Sequence, residues 1–76
     1  MRHAQKRPIP FGYTISIRRS LIDGRPGFEA KIAELPDVVE YSDTRQEVYD
    51  LAIDTIETTA KIFAEQDRVM PPATAR

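Results

Sequence analysis

The stretch from Thr44 to Gln66 contains neither glycine nor proline, and it constrains the fold of this chain more than any other segment. Thr44 and Glu47 fit the Ser/Thr-x-x-Glu capping box, in which two side chains satisfy free backbone amides of the first helical turn. Pro71 and Pro72 follow soon afterwards, and proline cannot continue a helix. We therefore predict one long helix over this stretch.

Two stretches ahead of the helix alternate between apolar and polar residues, as half-buried strands do. They are YTISIRRS, residues 13–20, and FEAKIAEL, residues 28–35. Their apolar positions are Tyr13, Ile15 and Ile17 in the first stretch and Phe28, Ala30 and Ile32 in the second. The sequence DGRPG, residues 23–27, is rich in turn residues, and Gly24 or Gly27 is suited to a positive φ. The two strands should therefore form an antiparallel hairpin.

A third strand is predicted just before the helix. Pro36 and Asp37 should interrupt the second strand, because proline cannot donate to a strand ladder. VVEY, residues 38–41, then has the composition of a short strand. The element order β-β-β-α predicts an α+β fold, in which a three-stranded antiparallel sheet is covered by one long helix.

The chain has 76 residues, which is enough for one domain with a small core. We predict a flexible basic arm over residues 1–11, a single domain over 12–72 and a flexible tail over 73–76. Cysteine is absent, so disulfides, thiolate metal sites and thiol nucleophiles are excluded. Association between copies is the remaining source of extra stability.

The predicted helix is apolar over a wider arc than one sheet face covers. Its main apolar face consists of Val48, Leu51, Ala52, Thr55, Ile56, Thr59 and Phe63. Tyr49, Ile53 and Ile62 widen that face on its flanks. We predict that Tyr49, Ile53, Ile62 and Phe63 form an interface between copies, in a homodimer or homotetramer.

The opposite side of the predicted helix is acidic. Glu47, Asp50, Asp54 and Glu57 follow one another at i, i+3, i+7 and i+10, which places them along one line of a helix. The whole chain is asymmetric in charge, since residues 1–31 carry a net charge of +5 and residues 32–76 carry −6. The acidic line on the helix is therefore either an ordinary solvated face or a docking surface for a basic partner.

No catalytic motif is present. The single histidine, His3, lies in the predicted arm, and the chain has no G-x-S-x-G elbow, phosphate loop or dinucleotide fingerprint. Glu34, Asp37, Glu40 and Asp43 are spaced three apart in a strand and turn, which favours solubility over a cation site. We predict neither an enzyme nor a bound cofactor or metal.

Membrane and nucleic-acid partners are not predicted either. No apolar run approaches the roughly 20 residues that span a bilayer, and the N-terminus lacks the apolar core of a signal peptide. We expect a cytoplasmic protein. The basic N-terminal half lacks the interleaved aromatic residues that single-strand binders use, so weak nucleic-acid binding is kept only as an alternative.

The run FEAKIAELPDVVEYSDTRQEVYDLAIDTI resembles the N-terminal domain of HicB-type antitoxins. Glu34-Leu35-Pro36-Asp37 stands at the family's turn, and Ser42-Asp43-Thr44 stands where its helix begins. Gln46-Glu47 stands at the position of its acidic pair, and Met70-Pro71-Pro72 stands at its proline-containing close. The resemblance covers residues 13 to 72.

The resemblance implies a partial RNase H-like fold without nuclease activity. It also implies that the chain binds and neutralises a HicA-type toxin, a small basic protein that cleaves RNA. Full family members add a DNA-binding domain, which we expect this chain to lack. The expected contact residues are Asp37, Glu40, Glu47, Asp50, Asp54 and Glu57. The alternative is an orphan domain of this fold that acts only by self-association or by regulating another protein.

Overall fold

The structure is a computed structural model that describes residues 7–74, so residues 1–6 of the predicted arm and 75–76 of the predicted tail lie outside it. Three strands, β1 (Ile15–Ile22), β2 (Arg25–Ile32) and β3 (Leu35–Ser42), form an antiparallel sheet in the order β1-β2-β3. The helix α1 (Arg45–Glu65) follows and covers one face. The predicted α+β arrangement is confirmed.

The β1–β2 hairpin is tighter than the sequence indicated. Asp23 and Gly24 alone form its turn, with φ values of 53° and 80°, which is the positive-φ pair of a two-residue hairpin turn. The second strand therefore begins at Arg25 rather than at Phe28. Gly27, predicted within the turn, lies inside β2.

The third strand is longer than predicted and includes Pro36 and Asp37. The β2–β3 register changes from Lys31 opposite Val39 to Ile32 opposite Leu35, so residues 36–38 have no partners on β2. Proline is tolerated there because an irregular stretch of an edge strand requires no ladder donor. The predicted interruption at Pro36 is thus an irregularity within β3.

The core lies between the sheet and the helix. Its buried members are Tyr13, Ala30, Ile32, Leu35, Val48, Ala52 and Ile56. Ile9, Ile15, Ile17, Phe28, Val38 and Met70 pack around it. The predicted inner faces of the first two strands are confirmed. Leu51, predicted on the inner face of the helix, is 39% exposed, because the buried stripe is centred on Val48, Ala52 and Ile56.

Both ends of α1 are capped locally. The Thr44 hydroxyl accepts a hydrogen bond from the Glu47 amide at 3.0 Å, as the capping box predicts, whereas the Glu47 carboxylate accepts one from the Ser42 hydroxyl at 2.7 Å. After the last turn, Asp67 has a φ of 55°. Its amide donates to the Ala64 carbonyl at 3.2 Å, and the Arg68 amide donates to the Phe63 carbonyl at 2.8 Å. This Schellman motif ends the helix before the prolines are reached.

The segments before β1 and after α1 both pack against the sheet and helix. Ile9 contacts the core, and the Tyr49 hydroxyl donates to the Arg7 carbonyl. Residues 7–11 of the predicted arm are therefore docked on the domain. At the other end the Tyr13 hydroxyl donates to the Pro71 carbonyl, which holds the segment after the helix against the start of β1.

Candidate partner-binding surface

Four carboxylates line the side of α1 that faces away from the sheet, and we name them the acidic ridge: Glu47, Asp50, Asp54 and Glu57. Their spacing places them opposite the buried stripe, because a helix turns about 100° per residue. The side chains of Asp50, Asp54 and Glu57 are 40%, 59% and 58% exposed. The sequence prediction of an outward-facing acidic line agrees with this geometry.

Arg7 lies across the acidic ridge. Its Nη2 atom is 3.0 Å from Asp54 Oδ1 and 3.4 Å from Glu57 Oε1, and its Nη1 atom is 3.8 Å from Asp50 Oδ1. The hydrogen bond to Asp54 and the three negative charges raise the pKa of Arg7 above its ordinary value. One guanidinium cannot neutralise four carboxylates, so the ridge keeps a net negative charge.

The first two ridge residues also have polar neighbours on their own side of the domain. The Gln46 amide donates to both carboxylate oxygens of Asp50 at 3.3 Å, four residues away along the helix. Glu47 is held by Ser42, at the end of β3. These bonds orient both carboxylates while leaving them open to solvent.

A shallow groove of about 190 Å³ runs beside the ridge. Its lining residues are Leu51, Asp54, Thr55, Thr58 and Thr59. Leu51 gives this groove an exposed apolar surface next to the charged line. Sequence reasoning missed Leu51 as a surface residue, because a leucine at this helical spacing also fits a buried face.

Asp37 and Glu40, expected as contact residues, both lie within β3; Glu40 was predicted in the third strand, whereas Asp37 was predicted at the interruption before it. Asp37 is exposed in the irregular stretch of that strand. Glu40 is half-buried, and its carboxylate accepts a hydrogen bond from the Thr55 hydroxyl. Because Thr55 also lines the groove, Glu40 adjoins the groove on its strand side, while the ridge lies on its other side.

The four residues predicted to join copies occupy different environments. Ile53 is 1% exposed and buried within a single chain, so its assignment to an interface is corrected. The docked N-terminal segment lies on the same flank of the helix, where Tyr49 is half-buried and bonded to Arg7. Phe63 is half-buried, with the Arg68 guanidinium 3.9 Å above its ring. Ile62 is 44% exposed.

One buried carboxylate has a structural role that the sequence did not reveal. Glu34, in the β2–β3 turn, accepts hydrogen bonds from the Thr14 amide at 3.0 Å and from the Thr74 amide and hydroxyl at 2.9 and 3.0 Å. Burial opposes ionisation of Glu34, but these hydrogen bonds outweigh it and lower the pKa below its ordinary value. Burial, together with the nearby charge of Glu34, raises the pKa of Tyr13.

Within residues 7–74, no group of three or more histidine, cysteine or carboxylate side chains is arranged to hold a metal ion. In the same part of the chain, no helix has the length and apolar character needed to cross a membrane. Comparison with known proteins found no matching family model, no matching curated protein and no matching solved structure.

Proposed function

We propose that this chain is an antitoxin-like interaction protein that binds and neutralises a small basic RNA-cleaving toxin of the HicA type. In this proposal the acidic ridge is the main contact surface, and the groove beside it, with Leu51 and Glu40, completes that surface. The resemblance to HicB-type antitoxins in residues 13–72 supplies the partner class.

One observation carries the proposal: the acidic ridge is exposed along the helix, and Arg7 is the cation that the described residues place against it. Unbalanced like charges along a helix destabilise it, so a complementary cationic surface would relieve that repulsion. Charge complementarity of this kind raises association rates and excludes partners of the wrong sign.

The chemistry of the partner supports the same surface. A protein that cleaves RNA must present basic side chains to the phosphate backbone. A line of carboxylates at the spacing of helical turns competes for those side chains and blocks access of RNA. Leu51 adds an apolar contact beside the charges, and desolvated apolar contacts of this kind slow dissociation more than rim charges do.

This chain is expressed together with a HicA-type toxin, and co-purification, cell growth and RNA cleavage are measured. Replacing Asp50, Asp54 and Glu57 together with lysine should abolish complex formation and restore RNA cleavage. Circular dichroism should show an unchanged fold, since all three side chains are exposed. Loss of RNA protection without loss of the fold supports the proposal.

A matched pair of single variants controls for net charge. Asp54→Lys and Glu65→Lys change the net charge of the chain equally, and Glu65 is an exposed acid in the last turn of α1, about 12 Å beyond the last residue of the ridge along the same side of the helix. We expect Asp54→Lys to weaken toxin binding at least tenfold more than Glu65→Lys. Equal effects would show that only the overall charge matters and would overturn the assignment of the ridge.

Self-association is a second part of the proposal, and Ile62 is the member of the predicted interface with the most exposed side chain. Sedimentation velocity over a range of concentrations measures it directly. Replacing Ile62 with glutamate should shift an oligomer toward monomer without unfolding the chain. A monomer at every concentration would remove this part and leave the toxin-binding part standing.

A further inference from the structure

We propose that the free edge of β1 binds an extended acidic segment of a partner protein, which adds a fourth strand to the sheet. This surface is the outer strand of the sheet rather than the helix, and it would carry a partner of the opposite charge to the one proposed for the acidic ridge. β1 leaves backbone hydrogen-bonding groups open along this edge, basic side chains surround it, and hollows flank it.

The two edges of the sheet differ. β3 contains Pro36 and an irregular stretch over residues 36–38, and both features hinder pairing with another strand. β1 is regular over all eight residues, contains no proline or glycine, and in the described residues pairs only with β2. A long regular edge strand is a template for strand addition.

The register shows which backbone groups β1 offers. Ile22 and Arg25 flank the two-residue turn, so they form a pair that exchanges backbone hydrogen bonds, and such pairs alternate along an antiparallel ladder. The alternation predicts that Thr14 and Ala33 are also joined by backbone hydrogen bonding. The Ala33 amide does donate to the Thr14 carbonyl, at 3.0 Å. The residues whose amide and carbonyl groups point away from β2 are therefore Ile15, Ile17, Arg19 and Leu21.

The charge around this edge selects an acidic occupant. β1 and β2 together contain four basic side chains, Arg18, Arg19, Arg25 and Lys31, and one acid, Glu29. Arg18 and Lys31 lie on the sheet face away from the helix and are 73% and 60% exposed, although Glu29 is within 3.3 Å of Arg18 and 3.8 Å of Lys31. Carboxylates on the outer face of an added strand would meet Arg18 directly.

The hollows beside β1 select the other side chains of the occupant. One hollow of about 280 Å³ lies beside Ile17 and Tyr49 on the helix side. A larger one of about 670 Å³ is lined by the apolar Leu21 and Phe28 and by one charge of each sign, Arg19 and Asp43. Leu21 is 72% exposed there. Since side chains of a strand alternate between faces, the fitting segment alternates apolar residues toward the helix side with acidic residues toward the outer face.

Segments of this chain fit the edge less well. Antiparallel pairing of β1 with the β1 of a second copy would bring Arg18 and Arg19 of both chains together at its centre, and like charges opposite each other destabilise a sheet. Residues 1–6 have the sequence MRHAQK and contain no acid. An acidic segment from a different protein is therefore the occupant that the charges favour.

The probe is a synthetic peptide, acetyl-Glu-Val-Glu-Val-Glu-Val-Glu-amide, added to the full chain labelled with nitrogen-15. Binding should slow hydrogen exchange at the amides of Ile15, Ile17, Arg19 and Leu21, whereas the even-numbered amides of β1 already donate within the sheet. The same peptide with lysine in place of glutamate should not bind. Equal binding of the two peptides, or protection outside β1, would overturn the proposal.

A matched pair of variants separates backbone pairing from charge. Arg19→Pro removes one outward amide without breaking a bond to β2, and Arg19→Gln removes the same charge while keeping that amide. We expect Arg19→Pro to abolish peptide binding and Arg19→Gln to weaken it only slightly, because the Arg19 side chain lies on the helix side, where the peptide presents valines. Arg18→Gln, on the outer face, should weaken binding about two- to fivefold at low salt. Toxin binding through the acidic ridge should be unchanged in both Arg19 variants. If Arg19→Pro does not fold, Arg18→Gln tests the charge requirement by the same assay.

Hydrogen exchange of the chain alone, measured over a range of protein concentrations, completes the test. Protection of the same four amides that appears without peptide, and grows with protein concentration, would show that a second copy occupies the edge. That outcome would overturn the acidic partner. A chain whose β1 amides exchange freely at all concentrations and become protected only with the acidic peptide supports it.

Discussion

The Glu34 carboxylate accepts a hydrogen bond from the Thr74 amide at 2.9 Å, across a separation of 40 residues. Glu34 lies in the β2–β3 turn, and Thr74 lies in the segment after the helix. The same carboxylate binds the Thr14 amide just ahead of β1. One acidic side chain therefore fastens the segment that follows α1 to the edge of the sheet where β1 begins.

Replacing Glu34 with glutamine should destabilise the protein by about 2 kcal/mol, because a hydrogen bond to a charged group contributes about 1.5–3 kcal/mol. Glutamine has one acceptor oxygen and would place an amide group against one of the two donors. Urea unfolding followed by circular dichroism measures the change. Thr74→Ala, which removes only the hydroxyl bond, should cost less, and an equal cost for both would contradict this account.

The stability of the protein should also depend on the Glu34 carboxylate at acidic pH. Its pKa is lowered in the folded state, so its contribution is present above the unfolded value of about 4.3 and is lost as the pH falls through the folded value. The unfolding free energies of the native protein and of Glu34→Gln should therefore converge as the pH falls below the unfolded value. A constant difference between the two curves from pH 7 to pH 3 would exclude this linkage.

Replacing Arg7 with glutamine should strengthen the binding of cations to the acidic ridge without a detectable change in melting temperature. Arg7 is exposed, and exposed ion pairs contribute little to stability, but its charge offsets that of Asp54. An oligolysine peptide titrated at several salt concentrations measures the affinity and its salt dependence. Arg25→Gln, which removes an equal charge from the hairpin, is the control and should change both quantities less.

Thr44→Ala should lower the free energy of unfolding by about 1 kcal/mol, the usual cost of losing a helix N-cap. The Thr44 hydroxyl is the acceptor for the Glu47 amide, and α1 supplies three of the seven buried core residues, so loss of the cap should affect the whole domain. Thr44→Ser keeps the acceptor and should restore most of the stability. Chemical denaturation of the three proteins provides the comparison.

Gly27→Ala should cost about 1–3 kcal/mol, the range observed when a methyl group is forced into a packed site. A Cβ atom at Gly27 would lie 2.5 Å from Cδ1 of Ile22 and 3.0 Å from the carbonyl oxygen of Ser42. Ile22→Val removes that Cδ1 atom, so the double variant should recover part of the loss. A double variant no more stable than Gly27→Ala would place the strain at the Ser42 backbone.

Much of the fold was predictable because its signals are local. The alternation in residues 13–20 and 28–35 identified two strands and their inner faces, and Thr44 identified the start of the helix. The strand bounds were less accurate. Asp23 and Gly24 complete the hairpin turn by themselves, and an edge strand tolerates Pro36.

The candidate surface was predictable only in part. The spacing of the acidic ridge follows from helix geometry alone, so its exposure could be anticipated. Leu51 was predicted in the core and is exposed, whereas Ile53 was predicted at an interface between copies and is buried within the chain. A wide apolar arc on a helix does not specify which part of it meets the sheet. Ile53 is buried on the flank of the helix where Tyr49 bonds to Arg7, and the periodicity of the helix alone does not show that the N-terminal segment docks there.

The sequence by itself determined the element order, the helix caps and the line of carboxylates, since each depends on residues within a few positions of one another. Only the tertiary structure decided that Arg7 lies on the ridge, that Glu34 binds Thr74 and that β1 is the open edge. These features join residues that are distant along the chain. They follow from how the helix is rotated on the sheet and where the flanking segments run, which are set by the packing of the whole core.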